Sequence, residues 1–371
     1  MDFLSIRQQS GQDPENFSGS VPGNFWKDDD IKIGLLLPVS PDKDYLAQAA
    51  QEGAELAVFL ANQQGGYQGH PFRLIIRTAD GLWGAGSKES VDFVHEDQVV
   101  ALVTAVDGRN AHLAEQVAVK SHVVQLSTRA TDETLSQAFV PWFFRIVPND
   151  KQQAETLIGE IYRIRGLQKV YVAHEDGYDH KMGAGSFEKT VKKEGLKLEG
   201  VFKFGPSGID AGNFPIMNDA EALVIFGSFD SAQPFLEEIR GSYPDIQVFG
   251  SLSMTSDGRI CSGFSGGCDG GIFISSRFCY TTPGKKFKDL FIEKYGHMPN
   301  PAASYAYDGT NLIIEAVRTA GPDREKIRDV LKDIKFESGA TGMIEFDPSG
   351  NRISPVFLIK MIKGHPVILH P

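Results

Sequence analysis

Three stretches of the sequence contain residue types that could carry out chemistry, but each has the wrong order or the wrong setting. In residues 81–88, Ser87 and Lys88 stand in the reverse of the order that a phosphate-binding loop requires. Residues 263–267 match the G-x-S-x-G pattern, yet they lie in a glycine-rich loop before a strand, whereas a nucleophile elbow lies between a strand and a helix. Residues 174–180 are rich in His, Asp and Glu, but the spacing fits neither a zinc helix nor a calcium loop. The sequence therefore predicts no catalytic residue, no metal and no cofactor.

The composition excludes further classes of protein. The chain has 371 residues, which suggests about two domains at roughly 150 residues per domain. A formal net charge of −11 argues against binding to nucleic acid, which needs a basic surface. The longest apolar runs, residues 33–39 and 222–227, are much shorter than the roughly 20 residues of a membrane-spanning helix. The cysteines Cys261, Cys268 and Cys279 leave open either one disulfide with one thiol or three unpaired side chains.

The first 30 residues are polar and turn-rich, and they lack the apolar stretch of a secretory signal peptide. This pattern fits a cytosolic protein with a loose tail, and it equally fits an exported protein whose signal peptide has been removed. In both cases the sequence predicts an extended N-terminal tail over residues 1–30.

From residue 31 onwards, predicted strands alternate with predicted helices in two successive units. The first unit has strands at 32–39, 72–78, 99–106 and 123–126 and helices at 44–63, 87–96 and 110–121. The second unit has extended segments at 143–147, 169–173, 197–204, 222–226 and 247–249 and helices at 152–165, 181–195 and 231–241. An extended segment at 272–276, three helices at 285–295, 302–320 and 324–334, and an antiparallel meander at 343–346, 356–362 and 367–369 follow. The alternation predicts an α/β fold with parallel sheets, and the late elements suggest that the chain returns to both domains.

Ligands of open α/β sheets bind outside the carboxyl ends of the strands. The predicted strands place no nucleophile–base pair and no metal-ligand set there. Two of the loops at these ends instead begin helices with capping residues, Asp107 with Asn110 and Thr131 with Asp132. Because free N–H groups and the helix dipole suit a carboxylate, the pattern indicates a binding site without chemistry.

Several segments in order resemble the type I periplasmic binding proteins, and within them the leucine/isoleucine/valine-binding (branched-chain amino acid) receptors of ABC transporters. The segments include EGAELA at 52–57, QQGG at 63–66, QLSTRAT at 125–131, FFR at 143–145 before 148–150, and YAYDG at 305–309. The resemblance implies two Rossmann-like lobes with parallel sheets, joined by three crossover segments, that close on a ligand in the cleft. Lobe 1 would be residues 31–147 plus 277–340, and lobe 2 would be residues 148–276 plus 341–371.

The resemblance also implies which residues bind the ligand. Lobe 1 would hold a carboxylate and an amine with residues 107–110 and 128–131, and lobe 2 would supply aromatic side chains. The predicted ligand-binding residues are Tyr45, Asp107, Asn110, Thr128, Arg129, Thr131, Tyr178, Phe229 and Asp308. Two departures leave the ligand open: Leu252 stands where an acidic partner of the amino group is expected, and Arg129 stands where the residue is usually small.

Arg129 gives the sharpest prediction among these residues. It follows a predicted strand and lies close to the helix start at Thr131, where the dipole disfavours an unpaired guanidinium. A ligand carboxylate would neutralise it through a charge-assisted pair. The alternative is a surface ion pair with Asp132 or Glu133, which is worth about 0–1 kcal/mol.

The resemblance implies that the chain is no enzyme but an extracytoplasmic solute-binding receptor of an ABC importer, with an amino acid or related small carboxylate as ligand. Its partners would be that small molecule and a membrane permease, not nucleic acid, and it would be a monomer or a weak dimer. Two alternatives stay open. One is the ligand-sensing domain of a signalling receptor, and the other is a cytosolic nucleotide-using α/β enzyme, which the broken phosphate loop disfavours.

Overall fold

The computed structural model describes residues 30–80, 84–205, 217, 219–258 and 267–369, which form two β-sheets with helices packed around them. Residues 1–29 of the predicted tail, residues 81–83 of the glycine-rich stretch, residues 263–266 of the G-x-S-x-G match and Cys261 lie outside these ranges.

The first sheet has five parallel strands in the order β2-β1-β3-β4-β5. They are β1 (Ile31–Leu37), β2 (Phe72–Thr78), β3 (Ala101–Thr104), β4 (Val124–Ser127) and β5 (Phe143–Arg145), connected through α1 (Tyr45–Gln63), α2 (Ala85–His95) and α3 (Gly108–Lys120). β1 is buried along almost its whole length, as its continuous apolar sequence predicts. α1 begins after Asp44, whose side chain accepts hydrogen bonds from the N–H groups of Leu46 and Ala47.

The second sheet has seven strands in the order β12-β11-β10-β9-β8-β6-β7. They are β6 (Val170–Glu175), β7 (Gly200–Phe204), β8 (Ala222–Phe226), β9 (Gln247–Gly250), β10 (Ile272–Ser275), β11 (Phe357–Ile362) and β12 (His365–Ile368), with α4 (Asp150–Ile158), α5 (Tyr178–Lys193) and α6 (Phe229–Ser242). β6 to β10 run parallel, and the last two strands form an antiparallel hairpin at one edge. The predicted α/β alternation is therefore confirmed.

The chain passes between the two sheets three times, after β5, after β10 and after the last helix. Helices α7 (Thr282–Tyr295), α8 (Pro301–Ala320) and α9 (Arg324–Asp333) return to the first sheet, where α8 packs along α1. The two helices approach so closely that a Cβ atom on Gly53 would lie 2.1 Å from the carbonyl oxygen of Ala303. The order of the crossings follows the predicted two-lobe arrangement. The exact lobe boundaries stay a prediction.

Two local predictions differ from the structure. The predicted strand at 343–346 makes only isolated bridges, Phe336 with Ile344 and Phe346 with Arg352, because this segment runs back along the first sheet instead of joining the hairpin. The ring of Phe346 packs there against Phe144, with 5.1 Å between the centroids. The helix predicted to run to residue 165 is α-helical only to Ile158 and continues as a π-helical segment, Gly159–Ile164.

Cys279 is disulfide-bonded, so the three cysteines are not all unpaired. Cys268 is buried in the second sheet's core. Across the ranges that the structure describes, none of the helices combines the length and the apolar content needed to cross a membrane.

Candidate functional site

A cavity of about 190 Å³ lies between the carboxyl ends of the two sheets, where the fold predicts a ligand. Its lining comes from both lobes: Leu46, Ala50, Ala105, Thr128, Arg129, Thr131, Val147, Asp150, Gln153, Asp179, His180, Phe226, Ser228, Ser251, Leu252, Ser253, Ser256, Pro301, Ala302 and Tyr305. A larger and more open groove of about 870 Å³ lies between α8, α9 and residues 334–338, away from every strand end. We take the cavity between the sheets as the candidate site, because its lining, unlike that of the groove, comes from strand ends of both sheets.

The loop after β4, residues 128–132, forms the first-lobe wall and is held in place by backbone contacts. The N–H of Thr128 donates to the carbonyl of Thr104 over 2.9 Å. Arg145, which is fully buried, donates to the carbonyls of Ala130 over 3.3 Å and of Asp132 over 2.6 Å. Since these contacts fix the loop from behind, the side chains of Thr128, Arg129 and Thr131 line the cavity on a rigid frame.

Arg129 is half-buried and lines the cavity. Among the described residues it forms neither a hydrogen bond nor an ion pair, although Asp179 and His180 lie within electrostatic range. The two acids considered as surface partners are engaged elsewhere, Asp132 with His112 over 3.2 Å and Glu133 with Lys189 over 2.9 Å. The surface ion pair is therefore not formed, and the guanidinium is available to an anion in the cavity.

Asp150 is one of several lining residues that sequence reasoning missed. It is the first residue of α4, its N–H donates to the carbonyl of Thr131 over 2.8 Å, and its side chain is buried in the cavity wall. Its Oδ2 atom has no hydrogen-bond partner in the described part of the chain. Burial raises the pKa of this carboxyl to about 7, although a hydrogen bond from Thr131 and the charge of Arg145 oppose the shift. An unsatisfied buried carboxylate is costly, so this atom is poised to accept a donor from a ligand.

The start of α5 supplies two more titratable groups from the second lobe. Asp179 accepts a hydrogen bond from the N–H of Gly108 over 2.8 Å, and burial raises the pKa of its carboxyl. Burial lowers the pKa of His180, whose Nδ1 lies 3.4 Å from Glu175. Since the lowered pKa favours the neutral imidazole, Arg129 is the cation of the cavity wall, and the carboxyl groups are Asp150 and Asp179.

Three of the predicted residues lie beside the cavity instead of on its wall. Asp107 caps α3 and accepts hydrogen bonds from the backbone N–H of Asn110 over 2.7 Å and from its side-chain amide over 3.2 Å. Tyr45 is the half-exposed first residue of α1, and the next residue, Leu46, lines the cavity. Ligand contacts by these three residues stay a prediction.

Two other predicted residues hold parts of the protein together. The hydroxyl of Tyr178 donates to Asp132 over 2.8 Å and does not line the cavity. Asp308 is fully buried and accepts hydrogen bonds from the N–H of Ala340 over 2.7 Å and from the N–H of Thr341 over 2.8 Å. Burial raises the pKa of Asp308 to about 6. Asp308 thus ties α8 to the third crossover instead of facing a ligand.

Phe229 lies in the core beneath the second sheet, and Phe226, at the end of β8, lines the cavity in its place. The helix α6 begins at Phe229 and turns its first side chain inward, which is the physical reason for the difference. We expect Phe229→Leu to lower the free energy of unfolding by about 1 kcal/mol and to leave ligand affinity unchanged. Urea denaturation and calorimetry measure the two quantities. Phe226→Leu is the comparison variant and should weaken ligand binding, because Phe226 lines the cavity. If Phe229→Leu weakened binding and Phe226→Leu did not, Phe229 would be a ligand-binding residue.

Two α/β lobes face a common cavity at their strand ends, and both contribute to its lining, an arrangement typical of solute-binding proteins. The chain belongs to the periplasmic binding protein family, whose model matches residues 30–365, and it has the type I fold of that family. The predicted resemblance is therefore confirmed, and the family identifies a binding protein rather than an enzyme.

Named relatives agree with this assignment. The chain is 23% identical over 338 residues to a Leu/Ile/Val-binding protein homolog of Brucella melitensis, which covers 88% of this chain and 90% of the relative. Its fold is similar to that of LivJ of Streptococcus pneumoniae in complex with isoleucine, with a TM-score of 0.74, 22% identity and coverage of 91% and 99%. It is also similar to a solute-binding protein of Rhodopseudomonas palustris in complex with 3,4-dihydroxybenzoic acid, with a TM-score of 0.77, 18% identity and coverage of 92% and 97%.

Proposed function

We propose that the chain is the extracytoplasmic receptor of an ABC importer and that it binds an α-amino acid in the cavity between its lobes. The observation that carries this proposal is the pair of Arg129 and Asp150, which line the same cavity and include a guanidinium and a carboxyl whose Oδ2 has no partner among the described residues. Arg129 is complementary to a ligand carboxylate, and Asp150 is complementary to an ammonium group. A zwitterion satisfies both side chains at once.

The rest of the lining supports a small ligand with an apolar side chain. Leu46, Ala50, Leu252, Pro301 and Ala302 line the cavity with carbon atoms. Such surfaces favour an aliphatic or aromatic group through burial, at roughly 25 cal/mol per Å². The Brucella relative and the isoleucine complex fit this chemistry, because both names refer to branched-chain amino acids.

The origin of the lining residues in both lobes supports closure of the lobes on the ligand. Thr128 and Arg129 belong to the first lobe, whereas Ser228 and Ser251 belong to the second. A ligand that contacts both walls stabilises the closed arrangement through its differential affinity for that state. Small-angle scattering should therefore give a smaller radius of gyration with ligand than without it, and an unchanged radius at saturation would contradict closure.

A second candidate ligand is an aromatic carboxylate without an amino group. Two observations favour it: Leu252 stands where the resemblance implies an acid for the amine, and a structural neighbour was solved with 3,4-dihydroxybenzoic acid. Asp150 decides between the candidates, because a plain carboxylate leaves its Oδ2 unsatisfied.

The test compares L-leucine with 4-methylpentanoate, which has the same carbon skeleton without the ammonium group, and with benzoate. We expect calorimetry to show at least tenfold tighter binding of leucine, since only leucine pairs with Asp150. Thermal shift serves as a screen over the other amino acids, because a ligand at 100 times its Kd adds about 2.7 kcal/mol to stability. Tighter binding of benzoate or 4-methylpentanoate than of every amino acid would overturn the proposal.

The importer role needs its own measurement. The liganded protein should stimulate ATP hydrolysis by its cognate transporter in proteoliposomes, and the ligand-free protein should stimulate it less. Equal or absent stimulation would favour the sensing role instead.

A further inference from the structure

A set of contacts joins the two lobes along one rim of the cleft, outside the cavity. The hydroxyl of Tyr178, on α5 of the second lobe, donates to Oδ2 of Asp132 in the first lobe over 2.8 Å. The N–H of Gly108 donates to Oδ1 of Asp179 over 2.8 Å. Lys189, also on α5, pairs with Glu133 over 2.9 Å. All three contacts connect α5 with the loop 132–133 or with the start of α3.

Asp132 is held in position and kept ionised, so that its carboxylate can accept the hydrogen bond from Tyr178. It is fully buried, its Oδ1 accepts from the N–H of Thr134 over 2.9 Å, and its Oδ2 lies 3.2 Å from Nε2 of His112. Burial opposes ionisation, but the hydrogen bonds from His112 and Thr134 outweigh it and hold the pKa of Asp132 well below its usual range. Hydrogen bonds with Asp132 and Glu115 raise the pKa of His112 to about 9, so this imidazole carries a positive charge at neutral pH. A hydroxyl that donates to such a fixed carboxylate forms a charge-assisted bond, which is stronger than a neutral one.

The ring of Tyr178 also makes specific contacts with the opposite lobe. The guanidinium of Arg109 lies over the ring at 5.2 Å from the centroid. A Cβ atom on Gly108 would lie 3.0 Å from the ring and 3.1 Å from Oδ1 of Asp179, so only glycine lets α5 approach α3 this closely. The ring and hydroxyl of Tyr178 and the carboxylate of Asp179 thus contact the opposite lobe directly.

We propose that Tyr178 is a latch that holds the cleft closed and sets ligand affinity without touching the ligand. The inference deepens the proposed closure of the lobes and rests on it. In this protein the aromatic side chain that follows β6 bonds the opposite lobe, whereas the resemblance implied that it would contact the ligand. Since the apparent Kd equals the intrinsic Kd divided by the closed fraction, a latch that raises this fraction tightens binding of any ligand by the same factor.

The experiment is made on the full chain without ligand, so its outcome does not depend on which solute binds. Tyr178→Phe removes only the hydroxyl. The readout is hydrogen exchange at the amide of Gly108, which is protected by Asp179 only when the lobes are in contact. We expect exchange at this amide to become roughly tenfold faster, as the loss of a hydrogen bond to a charged group predicts, together with a larger radius of gyration.

Tyr171→Phe is the matched control, because Tyr171 lies on β6 of the same lobe and its hydroxyl has no hydrogen bond among the described residues. It should leave both readouts unchanged. Arg109→Gln is a second variant at an exposed position, and loss of its stacking should speed the same exchange about twofold. If Tyr178→Phe exchanges within twofold of the wild type while its circular dichroism and melting temperature are normal, Tyr178 is not a latch. Failure of leucine to bind would count against the proposed function and leave this result intact.

Discussion

Replacing Arg129 with alanine is expected to weaken binding of L-leucine by about 2–4 kcal/mol, the cost of removing one partner from a desolvated ion pair. The expectation follows from the position of the guanidinium, which lines the cavity while both nearby surface acids are paired with other residues. Arg129→Lys should recover only part of the loss, since an ammonium cannot form two parallel hydrogen bonds to a carboxylate. Titration calorimetry on the wild type and both variants gives the values.

Arg163→Ala provides the control for this series. Its side chain is 62% exposed and pairs with Glu194 on the second lobe, far from the strand ends that form the cavity. It should bind leucine like the wild type. If Arg129→Ala also binds within about 0.5 kcal/mol of the wild type, the carboxylate is held elsewhere, by Thr128, Thr131 and the loop that contains Asn110.

Ligand affinity is expected to rise about tenfold between pH 6 and pH 8, because Asp150 must lose its proton before it can pair with an ammonium group. Its pKa is raised to about 7 by burial, so most of these carboxyls are neutral at pH 6 and ionised at pH 8. Binding of an amino acid at pH 6 should therefore release close to one proton. Calorimetry in two buffers of different ionisation enthalpy counts that proton directly.

The same shift has the opposite effect on the ligand-free protein. A carboxyl whose pKa is raised on folding stabilises the folded state below its unfolded pKa, near 3.9, and this contribution is lost as pH rises through 7. Ligand should therefore raise the melting temperature more at pH 8 than at pH 6.

Asp150→Asn separates this carboxyl from the other titratable groups of the cavity wall. The variant should bind leucine about 2–3 kcal/mol more weakly than the wild type at pH 8, and its affinity should no longer change between pH 6 and pH 8. A pH dependence that survives in Asp150→Asn would assign the proton to Asp179 or His180, whose pKa values are also shifted by burial.

Most of the fold could be predicted from the sequence, because each element carries its own periodic signal. The apolar run of β1 and the helical spacing of α1 place both elements within one or two residues of their observed bounds. The start of α5 shows the limit of such signals. The sequence predicts a helix from residue 181, and the structure begins it at Tyr178, three residues earlier, with no side-chain cap at Gly177. Because the helix begins at Tyr178, this side chain leaves the first turn of α5, and its hydroxyl reaches Asp132 on the other lobe.

The candidate site was only partly predictable. Thr128, Arg129 and Thr131 follow directly from a strand end, which any parallel sheet turns toward its ligand. Asp150 looks in the sequence like one more acidic residue in the first turn of a helix, where solvent exposure is the rule. Its burial results from packing of α4 against α5, where a Cβ atom on Gly183 would lie 3.4 Å from its Oδ1, and a local pattern carries no information on such contacts. Asp308 illustrates the same limit. It lies in a recognisable motif, but its carboxylate accepts hydrogen bonds from Ala340 and Thr341 in the third crossover, more than 30 residues later.

The last segment of the chain completes both sheets, which constrains when the protein can fold. β11 pairs with β10 in the second sheet, where Ile272 lies opposite Lys360, 88 residues later in the sequence. At the edge of the first sheet, the N–H of Arg145 donates to the carbonyl of Gly350 over 2.8 Å. α8, after residue 300, covers α1, which lies in the first 63 residues. A chain that lacks these parts leaves one edge of the second sheet and one face of α1 uncovered, so we expect neither lobe to reach its full stability without them. We therefore expect the two lobes to become stable together, since residues after 340 contact the sheets of both.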